Sequence, residues 1–562
     1  MKRVLKFLLW IIILAVAAFA GYFFLSDAFD TGGEKRRPLE FVPADFVYLI
    51  ESDRPIGDWQ DLSETEVWQH LKGKEFFADI AENANYLDSL LEANQTVVKY
   101  IQLGDLVISA HMISREEYEF MIAVDMKGKG SLFAKFKQPM VALFKELGYQ
   151  VKTDSYFQID IFELYDPAYK EYMFISVVEN VLLFSYDRKL IREAIAQSEK
   201  PAITDDAAFA SVRSKTSRSE LYNLFINYGE LNKMLAAFSS ETPEFLRDLD
   251  ETMKYSGFDL TLKDDEVLLN GYALQNDSTP SYLRVFKDVG QGKINAAKIL
   301  PQNTAMFTSV GFDDFADFYT RFTGYMEESD PQGYRDLEKN QRRLEKLLKI
   351  EFERDFFSWM KDEIVSGIVP TNEAGTKYTY YAMLHFDDYD QVKERMDYVL
   401  ERIDKRTPVK FDEIEHNGFP IIDMDLNGFF KIFFKKLFSE IEKPHFTYLD
   451  DYVVFANDTT SLINLIDNYN SQQTLAKLDA YDDYVGTFDG SSNIFTYLNN
   501  KNLYGYLYQT LDVETRRDLK KNKDLIQSFP QVGLQLYPSG GMYKMVLIYH
   551  PLLQAHESDY RR

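Results

Sequence analysis

The sequence predicts an α+β protein in which one unit, with a mainly antiparallel sheet plus helices, occurs twice after a single transmembrane helix. Three features lead to this prediction: an uncharged apolar run near the amino terminus, segments of alternating apolar residues that follow one another directly, and short motifs that recur at a nearly constant spacing. Strands grouped beside strands, with helices at irregular intervals, favour an antiparallel sheet over a doubly wound parallel sheet.

Residues 1–26 predict a membrane anchor. The run Phe7–Leu25 is free of charged side chains, and as a helix it would be about 29 Å long, which matches the hydrocarbon core of a bilayer. A cleaved signal peptide is the competing interpretation, because Ala18–Ala20 has the small-x-small form of a cleavage site. The apolar run continues past that point, which favours an uncleaved anchor in the membrane.

A short basic head, with Lys2, Arg3 and Lys6, precedes the apolar run. Such a head typically acts as an export signal, and long downstream domains are translocated largely regardless of their charge. We therefore expect a single-pass protein of the cell membrane whose bulk lies outside the cytoplasm, in the periplasm if the cell has two membranes. Residues 27–40 contain two adjacent glycines and are predicted to be a juxtamembrane linker.

An internal repeat divides the rest of the chain. The segment Pro43–Val47 has a counterpart in Pro301–Ala305, and Asp105 has one in Glu363, both 258 positions further on. Self-similarity at a fixed spacing indicates that one structural unit has been duplicated. The predicted divisions are repeat unit 1 at 41–298, with a junction at 275–297, repeat unit 2 at 299–553 and a tail at 554–562.

The elements follow the same predicted order in each copy. A strand opens the copy, and a mainly helical stretch follows. Next comes a segment with period-two alternation, Tyr118–Met126 in the first copy and Tyr378–Phe386 in the second, which predicts strands buried on one face. A helix follows in both copies, and two adjacent strands close each copy, around Leu260–Leu269 and Leu534–Leu547.

Composition limits the classes of function. The formal net charge is −26, which would repel nucleic acids, so no nucleic-acid partner is predicted. The chain contains no cysteine, which excludes disulfides, thiolate metal sites and a cysteine nucleophile. With 44 Phe and 37 Tyr, each copy has enough apolar area to bury a large core.

No motif predicts a catalytic site, a metal site or a cofactor. The seven histidines are scattered, and none falls in a zinc-binding pattern. Acidic doublets such as Asp387-Asp388 and Asp450-Asp451 lack the alternating spacing of a calcium loop, so we interpret them as solvated acidic surface. The chain also lacks the Gly-x-Ser-x-Gly and phosphate-loop patterns.

A basic aromatic segment in the second copy is the predicted contact site for a membrane or a partner. As a helix it would be amphipathic and basic on an otherwise acidic chain, which suits a membrane interface or a groove on a partner. The residues of this site are Phe429, Phe430, Lys431, Phe433, Phe434, Lys435, Lys436 and Phe438. The alternative interpretation is that its aromatic side chains pack into the core.

Together with the order of elements, the Pro-x-Asx patterns at Pro43–Asp45 and Pro301–Asn303 and the stretch Phe429–Leu462 resemble an uncharacterised bacterial family, domain of unknown function 3352. The resemblance extends over most of residues 40–550. It implies a membrane-anchored envelope protein, and it brings no catalytic or binding residues.

These observations favour a non-enzymatic envelope protein that acts as a binding or scaffolding module, with another envelope protein or a lipid as its partner. Two other hypotheses stay open: a membrane-tethered carrier of a lipid or another apolar ligand, and a metal-assisted hydrolase whose carboxylates and histidines meet only in the fold. A continuous apolar cavity would favour the carrier, and three His and Asp side chains converging in one cleft would favour the hydrolase.

Overall fold

The structure is a computed structural model that describes residues 36–74, 104–127 and 137–550, except for shorter internal gaps. The gaps are residues 116, 147, 168, 218–219, 239–248, 264–265, 373, 425–429, 431–437, 439 and 512. The predicted anchor Phe7–Leu25 lies outside the described residues. Within the described ranges, no helix combines the length and the apolar character that crossing a membrane requires.

The chain divides into two compact units, Met1–Leu274 and Gln275–Arg562, called unit 1 and unit 2 below. The predicted junction 275–297 belongs to unit 2 in this division. Within that junction, Leu283 of the 3-10 helix Tyr282–Phe286 is fully buried, and its carbonyl oxygen accepts a hydrogen bond from the hydroxyl of Tyr543 at 2.6 Å. The junction therefore packs as part of unit 2.

Unit 1 contains one antiparallel sheet. Its described strands are β1 (Phe46–Ser52), β2 (Leu106–Met112), β3 (Tyr118–Asp125), β4 (Gln150–Tyr156), β5 (Ile159–Asp166), β6 (Glu171–Val178), β7 (Val181–Ser185), β8 (Tyr222–Asn227), β9 (Met253–Lys263) and β10 (Glu266–Gln275). The order in the sheet is β4-β5-β6-β7-β3-β2-β1-β8-β9-β10, and the pairings from β4 through β9 are antiparallel.

Short helices separate these strands in the chain. The described helices of unit 1 are Pro38–Phe41, Pro55–Glu64, Glu66–Leu71, Lys137–Glu146, Arg188–Gln197, Ile203–Asp205, Ala207–Arg213, Tyr228–Phe238 and Leu249–Thr252. Two begin at aspartate caps: Asp187 accepts a hydrogen bond from the backbone N–H of Leu190, and Asp206 accepts one from Ala208. A side-chain oxygen at this position satisfies an N–H group that the helix itself leaves unpaired, so the sequence fixes where each helix starts.

Unit 2 also consists of antiparallel strands and helices. Its described strands are β11 (Gly292–Lys293), β12 (Met306–Gly311), β13 (Glu363–Pro370), β14 (Tyr378–His385), β15 (Asp412–His416), β16 (Phe419–Asp423), β17 (His445–Leu449), β18 (Tyr452–Ala456), β19 (Ser491–Ser492), β20 (Ile494–Asn499), β21 (Gln531–Ser539) and β22 (Met542–His550). Its described helices are Tyr282–Phe286, Ala296–Lys298, Phe315–Ser329, Pro331–Leu348, Glu353–Phe357, Tyr389–Arg406, Thr459–Asn470, Leu475–Lys477, Asp479–Val485, Asn500–Thr510, Val513–Lys521 and Lys523–Gln527.

The strands of unit 2 pair in the same order as those of unit 1. The order is β15-β16-β17-β18-β14-β13-β12-β20-β21-β22, with antiparallel pairing throughout. The short strands β11 and β19 form a separate antiparallel pair. The predicted α+β class with antiparallel sheet is confirmed.

The prediction that Tyr118–Met126 and Tyr378–Phe386 are buried on one face only is wrong. In β3, all residues from Glu119 to Val124 are buried, and in β14 all residues from Tyr381 to His385 are buried. Each strand lies in the middle of its sheet, β3 between β2 and β7 and β14 between β13 and β18. Alternating side chains of a central strand are buried on both faces when both faces are covered.

The hairpins β4–β5 and β15–β16 allow positions to be compared between units. Each has a two-residue turn, and counted from that turn Thr153 of β4 and Glu413 of β15 occupy the same position. Following the strand pairings onward from these two positions extends the comparison to β6 and β17. Val177 of β6, which pairs with Leu182, then corresponds to Tyr448 of β17, which pairs with Val453. Val177 and Tyr448 are therefore equivalent.

Candidate functional site

Polar side chains gather at one end of the sheet in unit 2. Glu363 begins β13, His385 ends β14 and Tyr452 begins β18. Because neighbouring strands are antiparallel, the start of β13, the end of β14 and the start of β18 meet at the same end of the sheet, and His385 pairs directly with Tyr452. The fold thus brings together residues that lie far apart in the chain.

His385 lies between two carboxylates. Its Nδ1 atom is 2.7 Å from Oδ1 of Asp362, and its Nε2 atom is 3.4 Å from Oδ2 of Asp451. Burial alone lowers the pKa of His385, but the two carboxylates outweigh that effect and raise the pKa to about 9. The imidazole is therefore protonated at neutral pH. A protonated imidazole has no free lone pair, so His385 is neither a metal ligand nor a general base in this state.

Glu363 is a fully buried carboxyl group with three hydrogen-bond donors. It accepts hydrogen bonds from the hydroxyl of Ser309 at 2.6 Å, from the hydroxyl of Tyr452, and from the backbone N–H of Asn295 at 3.2 Å. Burial raises the pKa of Glu363, and the three donors oppose that rise. A buried carboxyl group surrounded by donors in this way stabilises the positions of three segments of the unit.

The histidine–carboxylate arrangement differs from a metal centre. No group of three or more His, Asp or Glu side chains in the described part of the chain is arranged to hold a metal ion. Other histidines contact one aspartate each: His111 lies 3.2 Å from Asp45 in unit 1, and His416 lies 2.7 Å from Asp467 in unit 2. The side chains of these histidines therefore make separate polar contacts rather than forming one cluster.

A second polar feature of unit 2 is a cleft of about 280 Å³ between the helix Tyr389–Arg406 and strands β15 to β17, called the acidic cleft below. Its charged lining residues are Lys393, Asp397, Glu401, Asp404 and Glu413. Its apolar lining residues are Leu400, Phe411, Pro420 and Ile422, and Tyr448 completes the wall. Spacings of four and three residues place the three helix carboxylates on one face of the helix, which explains why they line one cleft.

Exposed lysines pair with most of these carboxylates. Lys393 Nζ donates to Asp397 at 2.8 Å, Lys410 Nζ donates to Asp404 at 2.7 Å, and Lys405 pairs with Glu401. The hydrogen bond to Asp397 raises the pKa of Lys393. Glu413 has no ion pair with any described residue. The side chain of Glu413 is exposed, and its charge adds to the rise in the pKa of Lys393.

Tyr448 lies at the back of the acidic cleft and is only 4% exposed. Its hydroxyl group is buried and has no hydrogen-bond partner among the described residues. Burial raises the pKa of Tyr448 well above its usual value, and the nearby carboxylates of Asp397 and Glu413 add to the rise. A buried polar group without a partner costs about 1–3 kcal/mol of stability, so a ligand that supplied the missing hydrogen bond would gain from it.

Unit 1 has apolar packing at the equivalent place. Val177, at the position of Tyr448, packs with Val141 and Val151 against a cluster of buried residues that includes Phe162 and Leu164. Thr153 stands at the position of Glu413. The polar wall of the acidic cleft is thus a property of unit 2 alone among the equivalent positions compared.

The predicted contact segment is described at two of its eight residues. Phe430 and Phe438 are buried, with ring centroids 5.1 Å apart, and Phe430 also contacts Phe455 of β18 at 4.9 Å. These two rings pack into unit 2, as the alternative interpretation of the segment requires. The other six residues, Phe429, Lys431, Phe433, Phe434, Lys435 and Lys436, lie outside the described residues.

Sequence reasoning missed the acidic cleft. One signal was present, because Asp397, Glu401 and Asp404 recur at helical spacing. The participation of Glu413 and Tyr448 depends on strand register, which short polar patterns do not determine.

Comparison with known proteins connects part of the chain to one family. Residues 125–395 match the model of the family described as protein of unknown function, DUF3352. The match supports the predicted resemblance over those residues, which include Pro301–Asn303 and His385 but neither Pro43–Asp45 nor Phe429–Leu462. It runs from β3 of unit 1 to the helix Tyr389–Arg406 of unit 2.

Solved structures of a protein named TP0453 are similar at low levels. The structure of its crystal form III is 11% identical, covers 46% of this chain and 90% of that chain, and has a TM-score of 0.25. The structure of crystal form I is 7% identical, covers 77% of this chain and 98% of that chain, and has a TM-score of 0.18. Among curated proteins, none matches this sequence significantly.

Proposed function

We propose that this chain is a membrane-tethered binding protein without catalytic activity, in which a duplicated unit supplies the scaffold and unit 2 holds the ligand. The anchor is the apolar run Phe7–Leu25, and the two units lie outside the cytoplasm. The basic head before the run and its uninterrupted length support this placement.

Duplication of one unit is supported by two independent observations. Short motifs recur 258 positions apart in the sequence, and ten strands of each unit follow the same pairing order. Two unrelated units would rarely share the pairing order of ten strands, because the strands of a sheet can be arranged in many ways. The proposal treats the differences between equivalent positions as changes made on a common scaffold.

The observation that carries the binding proposal is the acidic cleft. It combines Glu413, a carboxylate without an ion pair at hydrogen-bond distance among the described residues, with Tyr448, whose buried hydroxyl lacks a partner among those residues. A concave site with an apolar floor and a few convergent polar groups is the usual form of a ligand site. The equivalent Thr153 and Val177 of unit 1 lack both features, which supports the assignment of the ligand to unit 2.

The state of His385 favours binding over hydrolysis. The metal-assisted hydrolase would use histidines that coordinate a metal or accept a proton near neutral pH. His385 is instead held as an imidazolium ion by Asp362 and Asp451, with a pKa of about 9. This is the reason for preferring a binding protein to the metal-assisted hydrolase.

The six undescribed residues of the basic aromatic segment remain the proposed contact with the membrane or an envelope protein. Phe433→Ser with Phe434→Ser should weaken membrane or partner association while the protein stays folded, and Phe430→Ser, at a buried position, serves as the contrast because it should destabilise unit 2. Association is measured by co-sedimentation of the full chain with vesicles and by capture of envelope proteins. Loss of solubility in the Phe433/Phe434 variant would contradict the contact role.

The binding function is tested on the full chain extracted from its membrane in mild detergent. Small molecules that copurify are identified by mass spectrometry for the unaltered protein and for Tyr448→Phe. We expect a molecule that is retained by the unaltered protein and reduced in the variant. A hydrolytic activity that His385→Gln abolishes, with no retained molecule, would contradict the proposal.

A further inference from the structure

We infer that the acidic cleft binds a linear polyamine, an aliphatic chain that carries two or more ammonium groups. This inference rests on the proposed function, since it names the ligand class of the site assigned to unit 2. One ammonium group is held by Glu413 and the hydroxyl of Tyr448, and a second by the carboxylates of the helix Tyr389–Arg406.

The spacing of the carboxylates fits a chain with several positive charges. Asp397 and Asp404 are seven residues apart on one helix face, about 10 Å along the axis, and Glu401 lies between them. Glu413 stands on the opposite wall, on β15. Negative charges distributed along a cleft favour a ligand whose positive charges are also distributed, rather than a compact cation.

The apolar lining matches the methylene segments of such a ligand. Leu400 and Ile422 line the cleft between the charged residues. Burying methylene groups on this surface contributes about 0.8 kcal/mol for each group. A metal ion would gain nothing from these apolar residues, and a purely apolar ligand would gain nothing from the carboxylates.

Lysine side chains of unit 2 already donate to these carboxylates with an ammonium group, the same group that a polyamine carries. Lys393 Nζ, an alkylammonium that lines the cleft, donates to Asp397, and Lys410 Nζ donates to Asp404. Both lysine side chains are about half exposed or more. Exposed ion pairs of this kind contribute only about 0–1 kcal/mol, so a polyamine can displace them.

Tyr448 supplies the specific contact. Its oxygen is buried without a partner, so it can accept a hydrogen bond from an ammonium N–H group without breaking an existing one. Burial raises the pKa of Tyr448, which keeps its hydroxyl group protonated. Nearby Glu413 compensates the ligand charge.

The test is a calorimetric titration of the full chain, in micelles of an uncharged detergent at low ionic strength, with spermidine. We expect one saturable site. Glu413→Gln should weaken binding about tenfold, the scale of one charge-assisted hydrogen bond, and Tyr448→Phe should weaken it about fivefold with no loss of thermal stability. Lys393→Gln should strengthen binding, because it removes the resident competing cation.

Asp412→Asn is the matched control, since Asp412 is the neighbour of Glu413 on β15 and alternation places its side chain on the opposite face. Equal weakening by Asp412→Asn and Glu413→Gln would overturn the inference, because spermidine would then be a diffuse counterion of an acidic chain. Tighter binding of a trilysine peptide, with the same dependence on Tyr448, would also overturn it in favour of a peptide ligand. If spermidine fails to bind while another small molecule copurifies in a Tyr448-dependent manner, the polyamine is wrong and the binding function stands.

Discussion

Unit 1 and unit 2 share a strand order, but they differ in the polar groups where β3 ends in unit 1 and where β14, the equivalent strand, ends in unit 2. In unit 1, Asp125 ends β3 and accepts a hydrogen bond from the amide of Asn180 at 2.7 Å, and that amide in turn accepts one from the backbone N–H of Arg36. In unit 2, His385 and Asp451 occupy the positions of Asp125 and Asn180. Equivalent positions therefore hold an amide beside a carboxylate in unit 1 and an imidazolium between two carboxylates in unit 2.

The acidic cleft shows the same division at a second place. Where unit 1 has Thr153 and the packed Val177, unit 2 has Glu413 and Tyr448, which line a cleft and include a hydroxyl without a partner among the described residues. Apolar packing stabilises unit 1, while unit 2 keeps a feature that costs stability when empty. Such a cost is typical of positions that serve function rather than folding.

The largest expected effect comes from breaking a buried ion pair of unit 1, and it should be confined to that unit. Arg213 donates two hydrogen bonds to the buried carboxylate of Glu51, at 3.0 and 2.6 Å. In unit 2, Ser309 occupies the position of Glu51. Arg213→Met should destabilise unit 1 by about 3 kcal/mol, because it leaves a buried charge without a partner. Hydrogen exchange followed by mass spectrometry measures each unit separately. Equal loss of protection in both units would contradict this assignment.

The second effect is a pH dependence confined to unit 2. The pKa of His385 is about 9 in the folded protein and about 6.5 in an unfolded chain, so its protonation stabilises unit 2 fully below about pH 6.5 and this contribution is lost as the pH rises through 9. Hydrogen exchange at matched intrinsic rates between pH 6 and pH 9.5 should show the loss in unit 2. His385→Gln should remove the dependence, and an unchanged slope in that variant would contradict it.

A third effect concerns the turns of the hairpins β4–β5 and β15–β16. Both turns have two residues with positive φ, Phe157 and Gln158 in unit 1 and Asn417 and Gly418 in unit 2. Asn-Gly adopts this turn readily, whereas Phe and Gln do so at a cost of about 1–2 kcal/mol per residue. Phe157→Asn with Gln158→Gly should therefore stabilise unit 1 by about 1–2 kcal/mol, measured by denaturant unfolding. The reverse exchange in unit 2 is the control and should destabilise it.

The smallest effect is expected for Tyr448→Phe in the absence of ligand. Removing a hydroxyl group that has no partner should raise stability by about 1 kcal/mol, the lower end of the cost of leaving such a group unpaired. Tyr381→Phe is the matched control, since the hydroxyl of Tyr381 donates to the carbonyl of Ser461 at 2.8 Å and its loss should destabilise unit 2. Thermal unfolding of both variants measures the difference. A Tyr448→Phe variant as unstable as Tyr381→Phe would mean that the hydroxyl has a partner.

The fold class could be predicted because it depends on local patterns. Alternation in Tyr118–Met126 and Tyr378–Phe386 identified β3 and β14, and adjacency of strands indicated antiparallel sheet. Burial on both faces was not predictable, because it depends on which strands become central. That choice is made by pairings between residues more than 60 positions apart, such as Met121 with Ser185.

The sites could be predicted only in part. The acidic doublet Asp450-Asp451 was interpreted as solvated surface, yet Asp451 contacts His385, a residue more than 60 positions away. Tyr448 and Glu413 meet only through the registers of β15, β16 and β17. Sequence spacing fixes which residues share a helix face, but it does not fix which strand faces that helix.

The central claim of the proposal is that, of two units with the same strand order, only unit 2 holds a ligand. Hydrogen exchange of the full chain with and without spermidine tests it directly. We predict added protection in the helix Tyr389–Arg406 and in β15 to β17, with no change in β4 to β6 of unit 1. Equal protection of both hairpins, or protection unaffected by Glu413→Gln, would contradict the account.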